Sequence, residues 1–258
     1  MIKPHLLTCL LILLLFTPLT QSCTKNPNPA AQSLKSSTDS VKNGVNRNST
    51  EDSINNSIKS KEPAPKDSAE KAKFLEDELA SMVTLKLITQ KQSNGLRNIL
   101  ETVEVEHITS PGVRVKNLLI VHKIVAPDIV NIFKEMADSG FIIEKIEPMS
   151  KYQWNDRKSM AANNTSAFNY RLVAGTKSIS RHANGLALDI NPLWNPYVSG
   201  KYVSPPGAIY DIKKPGTIHK DSPAYKIFLK HGWKWGGSWT PYKDYQHFFY
   251  EVIPVKRF

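Results

Sequence analysis

Cysteine is almost absent from this chain of 258 residues, which contains only Cys9 and Cys23. Cys9 lies in an N-terminal apolar segment that export would remove, so the mature protein would keep at most one thiol, at its very end. An intrachain disulfide is therefore excluded, and no cysteine can hold a metal within a folded domain. Any metal must be bound by histidine, aspartate or glutamate side chains.

Long hydrophobic runs are also missing. The apolar run 6–16 follows Lys3 and is too short to span a bilayer about 30 Å thick, which requires about 20 residues. It has the size of a signal-peptide core. Ser22 before Cys23 resembles a bacterial lipoprotein signal, although Thr20 stands where leucine is more usual. We expect an exported lipoprotein of the bacterial cell envelope, on the periplasmic side of a membrane and anchored by a lipid on Cys23. The alternative is an ordinary secretory signal cleaved nearby.

Acidic residues are in deficit, with 23 Asp and Glu against 34 Lys and Arg and a formal net charge of +11. A basic chain favours anionic partners such as nucleic acid, a membrane surface or anionic wall polymers. None of the usual nucleic-acid-binding motifs is present, and an exported protein does not meet nucleic acid in its normal location. We therefore expect no nucleic-acid partner.

The composition changes along the chain. Large apolar residues are scarce in 23–70, which is rich in Ser, Asn, Lys and Pro, so this segment cannot bury enough surface to offset its ordering entropy. From about residue 115 the pattern becomes that of a compact domain, whereas 84–114 is hard to assign. We divide the chain into a lipoprotein signal peptide (1–22), a lipid-anchored tether (23–70), a helical or uncertain lead-in (71–114) and a compact folded domain (115–258).

Helical and strand-like patterns alternate in the second half of the chain. Residues 69–83 have the composition and spacing of a helix, and further helices are predicted to begin at Pro127, ending at Gly140, and at Ser222-Pro223, ending at Gly232. Strands are predicted at 118–121, 141–146, 185–190 and 247–252. Strands interleaved with few helices indicate an α+β fold with a small antiparallel sheet and flanking helices.

The first motif with chemical content is SRHANGLALD, from Ser180 to Asp189. It places His182 in a loop and Asp189 in an apolar strand, and Gly185 would let the chain turn between them. A carboxylate in such a strand is costly unless it is paired or bound to a metal. In isolation, a solvent-facing Asp and an incidental His explain this spacing better.

The second motif is DYQHFF, in which Asp244 precedes His247 by three positions. Alone it also fits an aromatic core strand with a capping Asp. Together the motifs supply two histidines and a carboxylate, the ligand set of a catalytic zinc site that leaves its fourth position to water. The other carboxylate, that of Asp244, is then the candidate general base.

These residues resemble the signature S-x-H-x-x-G-x-A-x-D, followed later by an acidic residue, two positions and His. It belongs to the zinc D-Ala-D-Ala carboxypeptidase and L-alanyl-D-glutamate endopeptidase family, within the lysostaphin, D-Ala-D-Ala peptidase and Sonic hedgehog type of metallopeptidase. The similarity covers about 115–258. Aspartate at position 244, rather than glutamate, is closer to the endopeptidase branch. The usual His-Phe-Glu ending is displaced here, so no role is transferred to Glu251.

The resemblance implies one Zn²⁺ per chain, with Asp244 as the base. The implied zinc ligands are His182, Asp189 and His247. Arg171 takes the place of a cation that stabilises the oxyanion of the tetrahedral intermediate; a surface or interface ion pair is its other interpretation. Ser180 is either a hydrogen-bonding support of the site or a turn residue.

The resemblance further implies that 115–258 is a zinc peptidase domain acting on peptidoglycan stem peptides, either trimming a terminal D-Ala or cutting within the stem. We expect the protein to be a monomer. The alternative is a non-catalytic, zinc-containing module that binds the cell wall. Nearby aromatic residues allow two interpretations as well, since they can line a cleft or fill the core. For Trp233 and Trp235 the core is favoured.

Overall fold

A computed structural model describes residues 67–251 and 253–258 of the protein, all of which lie in one unit of the fold, 58–258. The predicted signal peptide, Cys23 and most of the predicted tether lie outside the described residues. In the described part of the chain, no helix is both long enough and apolar enough to cross a membrane.

Five helices and eight strands follow one another in the described residues. The helices are α1 (Ser68–Thr84), α2 (Gln90–Arg97), α3 (Ala126–Asp138), α4 (Asp156–Ala161) and α5 (Pro223–Lys230). The strands are β1 (Leu100–Ile108), β2 (Arg114–His122), β3 (Ala187–Asp189), β4 (Tyr197–Ser199), β5 (Tyr202–Ser204), β6 (Lys234–Trp235), β7 (Lys243–Asp244) and β8 (His247–Phe249). Short 3₁₀ turns occupy Met149–Tyr152, Arg181–Asn184 and Gly236–Ser238.

The strands form three small antiparallel sheets, in the orders β1-β2, β3-β8-β6 and β5-β4-β7. Mixed helices and small antiparallel sheets confirm the α+β prediction. The β1-β2 hairpin joins residues on both sides of position 114 in one continuous ladder, from Leu100 opposite His122 to Ile108 opposite Arg114. The domain boundaries drawn from the sequence stay a prediction.

The predicted helices are all present, and local chemistry explains where they begin. Asp67 caps α1 by accepting a hydrogen bond at Oδ1 from the Glu70 amide at 2.6 Å, as expected for a helix N-cap. Pro127 lies in the first turn of α3, and Ser222 caps α5. The strand predicted at 118–121 lies within β2, whereas β3 and β8 are shorter than the strands predicted at 185–190 and 247–252 and lie within them.

The strand predicted at 141–146 is wrong. This segment makes only isolated bridges, at Ile142 and Ile146, although Phe141 and Ile143 are buried in the core. The Asn191 side chain forms hydrogen bonds that a neighbouring strand would otherwise supply. Its amide donates to the Ile142 carbonyl at 2.7 Å, and its oxygen accepts from the Glu144 amide at 2.9 Å. The apolar run is therefore core-lining irregular backbone.

Two hydrophobic clusters form the core. One lies between α3, the β1-β2 hairpin and the β3-β8-β6 sheet and includes Trp233 and Trp235, which confirms their assignment to the core. The other packs Leu79 and Met82 of α1 with Leu96 of α2 and neighbouring side chains. The first cluster anchors β3 and β8, the two strands that carry motif residues.

A buried carboxylate couples α1 to the Met149–Tyr152 turn and predicts a pH effect. Glu78 accepts hydrogen bonds from the amide and hydroxyl of Ser150. Burial raises the pKa of Glu78 above its ordinary 4.5, against the opposing effect of these bonds. A raised pKa in the folded state means that stability is greatest below the ordinary value and is lost as the pH rises through the folded value.

We therefore expect the unfolding free energy of the wild type, measured relative to that of Glu78→Gln, to fall as the pH rises from 4 towards neutrality. Urea titrations at several pH values measure it. Glu101→Gln, at an exposed position of β1, is the control and should keep the wild-type slope. An unchanged slope in the Glu78 variant would contradict the assignment.

Candidate metal centre

The two sequence motifs meet across one pair of strands. Asp189 of β3 and His247 of β8 are direct cross-strand partners in the antiparallel sheet. Directly opposed residues of such a pair project from the same face. The His247 Nδ1 atom lies 2.9 Å from Asp189 Oδ1. Residues 58 positions apart in sequence are thus brought into contact by backbone pairing alone.

His182 reaches the same point from the Arg181–Asn184 turn. The Ser180 hydroxyl caps this turn by accepting a hydrogen bond from the His182 amide at 3.3 Å. Gly185 ends the turn with φ +66°, and a Cβ atom there would lie 2.6 Å from the amide nitrogen of His122. Glycine is required both for the left-handed backbone and for this close approach to β2.

The three candidate ligand atoms form a tight triangle. His182 Nε2 lies 3.2 Å from His247 Nδ1 and 3.2 Å from Asp189 Oδ2. Ligand atoms about 2.0–2.1 Å from a tetrahedral zinc ion are about 3.3 Å apart. Among the described residues, this is the only group of three or more His, Cys, Asp or Glu side chains whose ligand atoms all lie within 4.8 Å of one another.

Proton positions also fit a cation. His182 Nδ1 lies 2.6 Å from the Ala167 carbonyl, which can only accept, so Nδ1 carries the hydrogen. In the neutral ring, Nε2 then turns its lone pair towards the Asp189 carboxylate. Two lone-pair donors at this separation need a positive charge between them, which either a proton on the imidazole or a bound cation supplies. A backbone carbonyl that fixes the tautomer of a metal-binding histidine is a common supporting contact.

Asp189 supplies negative charge to the centre. Its side chain is buried, which acts to raise the pKa of the carboxyl, but the His182 and His247 imidazoles outweigh burial and hold that pKa well below its usual range. Asp189 is therefore a carboxylate at neutral pH. A buried carboxylate facing two histidine nitrogens is a suitable ligand set for Zn²⁺.

Asp244 lies in β7, three positions before His247, and the pKa of its carboxyl group is shifted in the opposite direction to that of Asp189. Its Oδ1 atom is buried and has no hydrogen-bond partner among residues 67–251 and 253–258. Burial raises the pKa of Asp244 to about 7, with His247 and Arg171 acting to lower it and Asp189 to raise it. A carboxyl group with a pKa near neutrality can both take up and release a proton at working pH.

Gly236 makes the approach of Asp244 to the centre possible, and the sequence interpretation missed it. A Cβ atom at this position would lie 2.7 Å from the Asp244 carbonyl oxygen and 3.3 Å from the His247 Cβ. Two adjacent glycines between Trp235 and Ser238 were the available signal. The tryptophans around them were interpreted only as cleft or core residues. The role of Gly236 is instead to allow close contact between backbone segments.

Arg171 forms an ion pair, which was its second interpretation, and its role as an oxyanion-stabilising cation stays a prediction. One terminal nitrogen pairs with Asp156 Oδ2 at 3.2 Å, while Nε is buried without a partner in the described chain. Its charge acts on Asp244, so the guanidinium lies near the centre. Ser180 contacts the backbone of two candidate site residues. Its hydroxyl accepts a hydrogen bond from the His182 amide, and its own amide donates to the Arg171 carbonyl at 3.0 Å.

Glu251, to which no role was transferred, lies outside the centre. It is half exposed and forms an ion pair with Lys234. Arg181 was not anticipated, and it braces the turn that carries His182. Its guanidinium donates to the Tyr250 carbonyl at 2.9 Å and lies over the ring of Phe249.

The geometry brings together three side chains that could hold a metal ion and a nearby buried carboxyl group, that of Asp244. Residues 174–250 match a family model described as D-alanyl-D-alanine carboxypeptidase. All three candidate ligands and Asp244 lie within that segment, and Arg171 lies three residues before it. This match supports, over that segment, the family expected from the motifs. Searches of curated proteins and of solved structures found no match.

Proposed function

We propose that the protein is a zinc-dependent peptidase that cleaves the stem peptides of peptidoglycan. One observation carries the proposal: the ligand atoms of His182, Asp189 and His247 converge within 4.8 Å beside the buried, unpartnered carboxyl oxygen of Asp244. That is the arrangement required for hydrolysis by metal-activated water. The family description supports the substrate class.

Zinc bound by this triplet would lower the pKa of its water to about 7 and polarise a peptide carbonyl. The protein's own groups do the remaining work. Asp244 accepts the proton of the attacking water on its carboxylate and delivers it to the leaving amine. Arg171, with a free buried Nε–H in the described structure, offers a donor to the negative charge that develops on the carbonyl oxygen.

Incubation of the purified protein with muropeptides, with and without a chelator, tests this proposal by mass spectrometry. Chelator-sensitive loss of a terminal D-Ala identifies a carboxypeptidase, and a cut between L-Ala and D-Glu identifies an endopeptidase. Zinc binding without any cleavage would instead support the non-catalytic wall-binding module.

We also propose that the chain is an exported lipoprotein, held at a bacterial membrane through Cys23 and acting in the periplasmic compartment. The short apolar run and the Ser22-Cys23 junction support this. Membrane fractionation of the wild type and Cys23→Ser tests it: the variant should move to the soluble fraction, and equal membrane retention would reject the anchor.

Removal of the metal is expected to lower the melting temperature. A ligand that binds only the folded state stabilises it by about 2.7 kcal/mol when its concentration is 100 times Kd. Thermal unfolding with chelator, and again after zinc is restored, measures the effect. His182→Ala should show no shift on chelation, because one of the three ligands is gone. A shift of equal size in that variant would place the metal elsewhere.

A further inference from the structure

A group of neighbouring aromatic rings flanks the candidate metal centre, and one of them, Tyr197, lies directly opposite Asp244 in the β4-β7 pair. The Trp239 ring lies 5.5 Å from the ring of His247. Tyr242 follows at 5.6 Å, Tyr197 at a further 5.6 Å and Tyr202 at a further 6.2 Å, all measured between ring centroids of consecutive members. We call Trp239, Tyr242, Tyr197 and Tyr202 the aromatic rail.

The rail belongs to the β5-β4-β7 sheet and to the loop that precedes β7. None of its members lies in either hydrophobic cluster. Tyr202 is 57% exposed and Tyr242 is 37% exposed. The hydroxyls of Tyr197, Tyr202 and Tyr242 make no hydrogen bond to any group in the described structure. Core packing does not account for these rings, since tyrosines that serve the core bury the ring and give the hydroxyl a partner.

The chemistry of the rail selects a ligand with apolar faces and polar edges. Pyranose sugars have this character, because their C–H faces stack on aromatic rings while their hydroxyls bond to phenol groups and water. Trp239 of the rail contacts His247, a candidate zinc ligand, and Tyr197 lies opposite Asp244, whereas Tyr242 and Tyr202 are exposed. The part of a substrate that continues beyond the reacting peptide would therefore lie over these two outer rings. In peptidoglycan, stem peptides hang from a chain of amino sugars.

Resting on the proposed function, we infer that the aromatic rail binds the glycan strand of peptidoglycan and holds it while an attached stem peptide enters the metal centre. The rail is a binding surface for the non-reacting part of the substrate. Contact energy at such a remote part favours substrates that are still attached to the wall over released peptides.

A direct binding test uses glycan strands stripped of peptide. We expect Tyr202→Ala combined with Tyr242→Ala to weaken cosedimentation with these strands by about 10-fold, corresponding to the loss of two aromatic contacts. The control is Ile124→Ala, whose side chain is equally exposed at 57% but lies at the start of α3, and it should bind as the wild type does. Unchanged melting temperatures establish that all variants are folded. Wild-type glycan binding by the double variant would overturn the inference.

A kinetic test compares substrates. In the double tyrosine variant, KM for intact peptidoglycan should rise about 10-fold more than KM for a free stem peptide, with similar kcat. Equal increases for both substrates would mean that the rail binds the peptide itself and would reject a glycan site. Failure of the proposed function looks different: the wild type would cleave no stem peptide, while glycan binding would still depend on the two tyrosines.

Discussion

Replacement of Asp244 by asparagine is expected to lower kcat for stem-peptide cleavage by about 10²- to 10⁴-fold, the usual contribution of a general base. Asparagine has nearly the same shape but cannot accept a proton. The three candidate zinc ligands are on other residues, so the variant should retain one zinc per chain. Steady-state kinetics on a defined muropeptide, together with metal analysis, measure both quantities.

The zinc content separates a lost base from a lost metal. His182→Ala should lose both zinc and cleavage, whereas Asp244→Asn should lose cleavage alone. Asp128→Asn, in the first turn of α3, is the matched control and should retain normal kcat. Undiminished digestion by a zinc-loaded Asp244→Asn protein would remove Asp244 from the mechanism.

The pH dependence of the wild type follows from the same carboxyl group. Only the ionised form of Asp244 can accept a proton, so kcat should fall as the pH drops through its pKa. Burial raises the pKa of Asp244 to about 7 in the metal-free protein, and a bound cation acts to lower it. The acidic limb of the kcat profile is therefore expected at or below about pH 7, and a flat profile there would argue against this base.

The sequence predicts the candidate ligand triplet only when both motifs are taken together and compared with a known family signature, because either spacing alone fits an ordinary strand or loop. His182, Asp189 and His247 come together through a short turn and one antiparallel strand pair. Sequence spacing does not reveal the contacts that complete the centre. The Ala167 carbonyl that bonds His182 and the bare Cα of Gly236 against Asp244 act through backbone geometry, for which no residue pattern is diagnostic.

The same limit explains the differences in the fold. The segment 141–146 has the apolar content of a buried strand. However, the Asn191 side chain, from outside the segment, forms the hydrogen bonds of the Ile142 carbonyl and the Glu144 amide. By contrast, β1 had a detectable signal within the unassigned stretch 84–114. Buried Val103 and Val105 alternate with the more exposed Glu104 and Glu106, which is the period of a half-buried strand.

Gly185→Ala is expected to reduce the unfolding free energy by about 2–5 kcal/mol, combining the cost of a left-handed non-glycine residue with that of overpacking. The new methyl group would meet the β2 backbone, 2.6 Å from the amide nitrogen of His122 and 2.7 Å from the Val121 carbonyl carbon. Backbone in a paired strand cannot move aside as a flexible side chain can. Relief of the clash must displace the turn that carries His182, so zinc affinity should fall with stability.

Gly140→Ala provides the matched control for this substitution. Gly140 also has positive φ, +77°, but a Cβ atom there would meet nothing within 4 Å. Gly140→Ala should therefore lose only the free energy needed to hold a non-glycine residue in the left-handed conformation, about 1–2 kcal/mol, and should leave zinc affinity unchanged. Urea unfolding and zinc titration of both variants separate the two contributions. Equal losses of stability, with zinc affinity retained in both, would show that His182 does not depend on the close contact between Gly185 and β2.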